Sequence, residues 1–181
     1  MYVPKFIDPL EYAGVIAKAL DPGVLLTTRA KGKTNTMTIG WGTVGVEWGR
    51  PVFIAFVRSH RFTHELLEES GEFTVNVPVG AFDKSILGLC GTRTGRDCDN
   101  KFALAGLTAV PGQKVAAPAI AQLPLTLECK VIYRQHQDPA AIPPAIREKF
   151  HPQDVEPDFH GRNRDFHTAY YGEIVSAYIL E

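Results

Sequence analysis

The sequence predicts a mainly β fold of the α+β kind, a small barrel of antiparallel strands with a few inserted helices. Three observations carry this expectation. Segments such as Glu72 to Val77 (EFTVNV) and Leu123 to Arg134 (LPLTLECKVIYR) alternate apolar and polar residues, the period of a half-buried strand. Most of the six or seven strand-like runs are separated by short connections built from turn formers, which suits antiparallel neighbours. Helical patterns occur as isolated insertions and do not alternate regularly with strands, which argues against a doubly wound sheet.

Taken in order, Asp8 or Pro9 opens a helix with Leu10, Ala13, Ile16, Ala17 and Leu20 at helical spacing, and Asp21-Pro22-Gly23 ends it. Gly23 to Ala30 is a strand, and the turn Lys31-Gly32-Lys33 joins it to the next as a hairpin. Thr34 to Val46, rich in Thr, Val, Ile and Trp, is expected as one pleated strand, and the apolar run Pro51 to Val57 as a fully buried one. A helix follows with Phe62, Leu66 and Leu67 inward and Glu65, Glu68 and Glu69 outward, stopped by Gly71. After the strand 72–77, Pro78 to Gly80 is a break and Phe82 to Leu89 a short helix. Cys90 to Phe102 is crowded with charges and glycines, so it reads as a surface loop that presents side chains to something. Lys101 and Phe102 begin a short helical pattern ending at Gly106, and residues 107–122 meander through a short strand. Residues 136–160 carry prolines at 139, 143, 144, 152 and 157 around one helical pattern (Ala145 to Phe150). They form an excursion from the barrel or a lid, with contribution to a partner subunit as a further option. Phe166 to Leu180 is a long final strand, expected to pair inside the sheet.

Composition narrows the function classes. A chain of 181 residues that is 45% hydrophobic can bury a real core and is expected to form one domain over 1–181. A formal net charge of −1 gives no long-range attraction to nucleic acid or an anionic membrane. No apolar run is long enough to span a bilayer, and the opening MYVPKFIDPLEY lacks the basic, apolar and small-residue regions of a secretory signal, so a cytoplasmic location is expected. Cys90, Cys98 and Cys129 are odd in number and contain no C-x-x-C pair, which suits reduced thiols better than disulfides or a zinc site.

The chemistry concentrates where the run Pro51 to Val57 gives way to the helix at Phe62. Arg58, Ser59, Arg61 and Thr63 bring two cations and two hydroxyls to a helix N-terminus, whose unpaired N–H groups and positive dipole end already favour a phosphate. The plainer alternative is two solvated arginines and a capping hydroxyl on Ser59 or Thr63. Two other motifs fail. Gly32-Lys33-Thr34 resembles the end of a phosphate-binding loop, but Thr27 stands where its first glycine is required. Gly40, Gly42 and Gly45 match G-x-G-x-x-G yet run into a turn at Trp48-Gly49, so they are better read as places where backbone curves or another surface comes close. His151, His160 and His167 are spaced too irregularly for a metal set.

Asn35-x-Met37-Thr38 leading to Trp41, then Arg58-Ser59-x-Arg61-x-Thr63, then Thr94-Gly95-Arg96-Asp97 with Asp99, Lys101 and Phe102, and finally His167-x-x-Tyr170-Tyr171-Gly172-Glu173, together resemble the flavin reductase-like family of FMN-binding split barrels, nearest its flavoredoxin branch. The resemblance runs over nearly the whole chain in the family's order. It departs in the loop that the family more often shows as Ser-Gly-Arg-Asp-x-Asp-Lys-Phe: Thr94 replaces the serine and Asn100 is inserted before Lys101.

The resemblance implies a homodimer of split barrels with one FMN per subunit at the subunit interface. On matching positions, Asn35, Thr36, Met37 and Thr38 would line the isoalloxazine ring. Arg58, Ser59, Arg61 and Thr63 would hold the phosphate and ribityl chain, and Cys90, Thr94, Arg96 and Lys101 would close the site. His167 is a candidate contact to the ring or to a nicotinamide, set against a strand histidine hydrogen-bonded at the barrel surface. Flavin chemistry needs no general base from the protein. Two functions compete: an oxidoreductase moving hydride from NADH or NADPH to FMN, and an electron carrier exchanging electrons with redox proteins. A third is a split barrel holding another planar cofactor such as haem.

Overall fold

The computed structural model describes residues 2–98, 100–158 and 163–181. Its sheet runs β3 (Lys33–Ile39), β2 (Val24–Ala30), β6 (Glu72–Val77), β9 (Leu125–His136), β10 (His167–Leu180), β5 (Arg50–Arg58) and β4 (Gly42–Glu47), every neighbouring pair antiparallel. A short first strand, β1 (Pro4–Phe6), which the sequence reading missed, pairs with the end of β10. The expected single strand from Thr34 to Val46 is two strands at opposite ends of the sheet, divided at Gly40 and Trp41. The sheet therefore curls until its two ends are joined by two residues, and no backbone ladder among the described pairings closes the seam between β3 and β4. That gives a mainly β split barrel.

Turn chemistry fixes the register. Lys31 and Gly32 have φ of 49° and 75°, and Trp48 and Gly49 have 50° and 70°, so each tight hairpin takes positive φ at both central positions. Gly42 bears out the close-approach reading of the glycines, since a Cβ there would sit 2.6 Å from the ring of Phe53; nothing lies within 4 Å of one at Gly45. The barrel interior is filled by Leu26, Met37, Phe53, Phe73, Leu127 and Tyr170, among others, and helix α1 (Ala13–Ala19) adds Ile16. This helix starts later than expected because the first turn is occupied by an Asp8 side chain accepting from the Leu10 amide at 2.9 Å.

Among the described residues four more α-helices lie outside the barrel. Helix α2 (Phe62–Ser70) ends in a left-handed Gly71 and follows the expected inward and outward faces. Helix α3 is Ser85–Thr92, shifted from the expected 82–89, because Asp83 accepts from the Ser85 amide and sets its start there. Cys90 is consequently helical and buried, and the polar loop begins only at Arg93. Helix α4 (Lys101–Leu104) and a two-residue hairpin, β7 (Ala109–Val110) with β8 (Ala119–Ile120), follow. Helix α5 (Pro144–Phe150) lies in the excursion between β9 and β10. Among the described residues no helix is long and apolar enough to cross a membrane.

Candidate cofactor site

Strand β5 delivers Arg58 to the point where the chain leaves the sheet. The Arg61 amide donates to Arg58 O at 3.1 Å, α2 starts at Phe62, and no side chain caps it, so the capping alternative for Ser59 and Thr63 does not hold. Thr63 is buried and accepts from Asn35 Nδ2 on β3 at 2.8 Å. Ser59 donates instead to Phe166 O at 3.3 Å and faces a cavity on the excursion's side.

Two cavities share the walls Met37 and Arg61. The first, a chamber of about 200 Å³, is bounded by Thr38, Trp41, Phe56, Arg58 and His167. The second is a neck of about 30 Å³ among Asn35, Thr63, Cys90 and Lys101, with Thr94, Gly95 and Arg96 across its mouth. Most of the residues singled out in the sequence thus meet in one place. Two do not: Ser59 lines neither cavity, and nor does Thr36, whose fully buried hydroxyl accepts from Thr27 Oγ1 at 2.9 Å and donates to Leu26 O at 3.3 Å.

The inserted Asn100 proves to be a helix cap. Its side chain accepts from the Ala103 amide at 3.0 Å and starts α4, which aims Lys101 inward. There Lys101 Nζ donates to Thr36 O at 2.8 Å and Cys90 O at 3.0 Å. Burial lowers its pKa from 10.5 to about 8, the Cys90 thiol opposing that shift and Arg61 adding to it. Burial also pushes the Cys90 thiol up, against the pull of Lys101. Arg61 donates to Gly91 O at 3.1 Å. Arg96 donates to His60 O at 3.0 Å and pairs with Glu65, and its own amide is held by Thr94 Oγ1 at 3.2 Å.

Arg58 is committed elsewhere. Its guanidinium donates to Asp165 O at 2.7 Å, to the Asp165 carboxylate at 3.3 Å and to Phe150 O at 2.9 Å, so it clasps both ends of α5's surroundings to the barrel. Asp165 also accepts from the His60 amide at 2.9 Å. The sequence reading missed Asp165 and Phe150, which lie roughly a hundred positions from Arg58 and carry no local signal. Phe150 in turn meets the Trp41 ring edge-on at 5.3 Å.

His167 is not a surface histidine. It is buried beside Trp41, at 5.0 Å between ring centroids, and burial together with Arg58, His151 and Arg61 lowers its pKa to about 3. It is neutral across the physiological range. Among the described residues no three metal-ligating side chains gather, and His160 and Asp99 lie outside them.

Several features fit a phosphorylated aromatic ligand. Among the described residues two buried side-chain polar atoms have no partner, Asn35 Oδ1 and His167 Nδ1, and each belongs to a residue lining one of the cavities. Gly95 passes so close over Asn35 and Phe62 that a Cβ there would collide with both. The neck gathers Arg61, Arg96 and Lys101. Such a set offers charge for a phosphate and hydrogen-bonding atoms and ring surfaces for a flavin.

The profile of the flavin reductase like domain matches residues 20–181. The chain belongs to the flavin reductase-like family. An FMN-binding domain of a flavin reductase-like enzyme from Shewanella baltica superposes with a TM-score of 0.64 at 19% identity, over 98% of this chain and 78% of that one. A flavoredoxin from Methanosarcina acetivorans gives 0.62 at 25% identity, over 87% and 67%. An uncharacterized protein of Archaeoglobus fulgidus is 34% identical over 100 residues, and the match spans 55% of each chain. The split barrel of the family is the fold described above, and its two cavities are lined by Asn35, Met37, Thr38, Trp41, Arg58, Arg61, Thr63, Thr94, Gly95, Arg96, Lys101 and His167 of the sequence motifs.

Proposed function

We propose that this protein is an FMN-binding oxidoreductase, a reductase that moves hydride from NADH or NADPH to the flavin. The observation that carries the reading is the shape of the chamber beside Trp41 and His167. It stays open, and among the described residues of the excursion 137–166 none lines it. The excursion is held by Arg58 and meets the chamber's walls from behind, Phe150 against Trp41 and His151 against His167. A carrier needs an exposed flavin edge, whereas a reductase needs this room above a ring face.

Bound FMN would supply the hydride acceptor, the one piece of chemistry that these side chains lack. The chain's own residues bind and orient. Lys101, Arg61 and Arg96 offer the neck's positive charge to the phosphate, with Thr63 and Thr94 beside them. Neutral His167 and Asn35 offer polar atoms at the ring's rim, and Met37 and Thr38 wall it. Arg96, held by Glu65 and a main-chain carbonyl, is the part of the narrow neck best able to give way. The same reading puts a second copy of the chain against the outer face of β5, β10 and β9. There Ile54, Tyr171 and Tyr133 stand side by side in register, and Phe56 on the same face belongs to the chamber.

The alternative electron-carrier function is favoured by the similarity to the Methanosarcina acetivorans flavoredoxin. An absorption spectrum of the purified protein, followed by anaerobic mixing with each nicotinamide nucleotide, separates the two. A yellow protein bleached by NADH or NADPH supports the reductase. Bleaching by dithionite alone supports the carrier, and a colourless protein that takes up no added FMN overturns both.

A further inference from the structure

The walls of the neck are not held alike. Asn35 is tied to Thr63 at 2.8 Å, Arg61 to Gly91 O at 3.1 Å, and Lys101 to the carbonyls of Thr36 and Cys90, so each of these joins one helix or strand, or its end, to another. The remaining wall, Thr94-Gly95-Arg96, belongs to no helix or strand. Arg96 fastens it to the start of α2. Its guanidinium donates to His60 O at 3.0 Å, stands 5.6 Å from the centre of the Phe62 ring, and pairs with Glu65 in the first turn of the helix. That pair lies at the surface, with the Glu65 side chain 54% exposed and that of Arg96 28%. Seated in this way, Gly95 is pressed against Asn35 and Phe62, and the neck keeps about 30 Å³, room for about two waters.

A phosphate on a ribityl chain needs more space than that, so a ligand that reaches the neck has to displace a wall. The Arg96–Glu65 pair is the weakest attachment, because an exposed ion pair contributes little in water. A phosphate monoester also offers a guanidinium more charge and more paired oxygens than a carboxylate does. Glu65, once released, stays beside the positive dipole end of α2, which softens its loss. We propose that Thr94-Gly95-Arg96 is a gate over the neck, latched by Glu65, and that the flavin's phosphate takes the place of the Glu65 carboxylate on Arg96 when the gate opens. The exchange rests on the phosphate reading of the neck, whereas the latch does not. Glu65 is then a built-in competitor of the ligand, and its removal helps binding.

Two readouts on the whole chain test this. Alkylation of Cys90, located by mass spectrometry, reports opening without any flavin, because that thiol lines the neck and its residue is 1% exposed. Glu65→Gln should speed it several-fold. So should Glu65→Asp, which keeps the charge but is a methylene too short to hold Arg96 in place. Titration with FMN and with riboflavin, which lacks the phosphate, reads the exchange. Glu65→Gln should tighten both flavins by a similar factor, about two- to fivefold, since each otherwise has to break the pair. Arg96→Met should split them: riboflavin tightens to the same extent, while FMN weakens about tenfold or more as its phosphate loses the guanidinium. Alkylation of Cys90 unmoved by both Glu65 variants overturns the latch. FMN unmoved by Arg96→Met, or riboflavin weakened along with it, overturns the exchange. Faster alkylation in a protein that takes up neither flavin upholds the latch and counts against the flavin function instead.

Discussion

Two cations, the half-buried Arg58 and the buried Lys101, face the same pair of cavities and are treated in opposite ways. Arg58 meets the Asp165 carboxylate and two main-chain carbonyls, so its charge is compensated inside the protein. Lys101 is 3% exposed and has only the carbonyls of Thr36 and Cys90, with no carboxylate partner among the described residues. A fold selected for stability alone has little reason to bury an ammonium that way, because the desolvation cost is met by dipoles only. The contrast teaches that the chamber end is built for shape, through Arg58 and the excursion it holds, while the neck keeps uncompensated charge available to a ligand.

The sharpest way to break that comparison is Arg58→Met. Stranding the buried Asp165 carboxylate should cost about 3 kcal/mol. The loss should appear as faster hydrogen exchange and proteolysis across residues 138–158, with the FMN affinity changed less than the stability. If FMN affinity falls while the excursion stays protected, Arg58 is a ligand contact and the contrast fails. Next in size is Lys101→Met, which keeps the length of the side chain and removes the charge. FMN binding should weaken by roughly 2 kcal/mol, about thirtyfold, while the ligand-free protein becomes no less stable.

The same substitution should flatten two pH dependences. The folded pKa of Lys101, about 8, lies below the unfolded value of 10.5, so the folded ligand-free protein sheds this proton first. Its stability therefore rises between about pH 8 and 10.5, and burial of the charge costs most below that window. FMN affinity runs the other way, full below about 8 and falling above it as the ammonium is lost. Calorimetric melting and fluorescence titration against pH check the two slopes, and Lys101→Met should remove both.

What was legible in the sequence follows the range of the forces involved. Local chemistry showed the hairpin turns at Lys31-Gly32 and Trp48-Gly49, the faces of α2, and the gathering of Arg61 and Thr63 at its start. Alternation located β6 and β9, and aromatic and β-branched content located β10, but the same kind of content ran on through Gly40 and Trp41, because small residues do not interrupt a strand-like run where the chain crosses from one sheet edge to the other. Thr36 stood in the right motif, yet a strand turns alternate side chains to opposite faces, and its hydroxyl goes to Thr27. The partnership of Arg58 with Asp165 was invisible, since nothing in either neighbourhood announces the other.

Asn100 gives the smallest and most discriminating prediction. As an insertion it threatened the reach of Lys101, but Asn is a favoured cap, and here its side chain secures the first turn of a helix only four residues long. Asn100→Ala should cost about 1 kcal/mol and release the Ala103 amide to exchange. FMN affinity should drop only a few-fold, because the ammonium remains and merely loses its fixed place between two carbonyls, and Asn100→Asp should restore it by replacing the cap. If Asn100→Ala instead weakens FMN as much as Lys101→Met does, then position rather than charge governs the neck, and the distinction between the two cations must be redrawn around geometry.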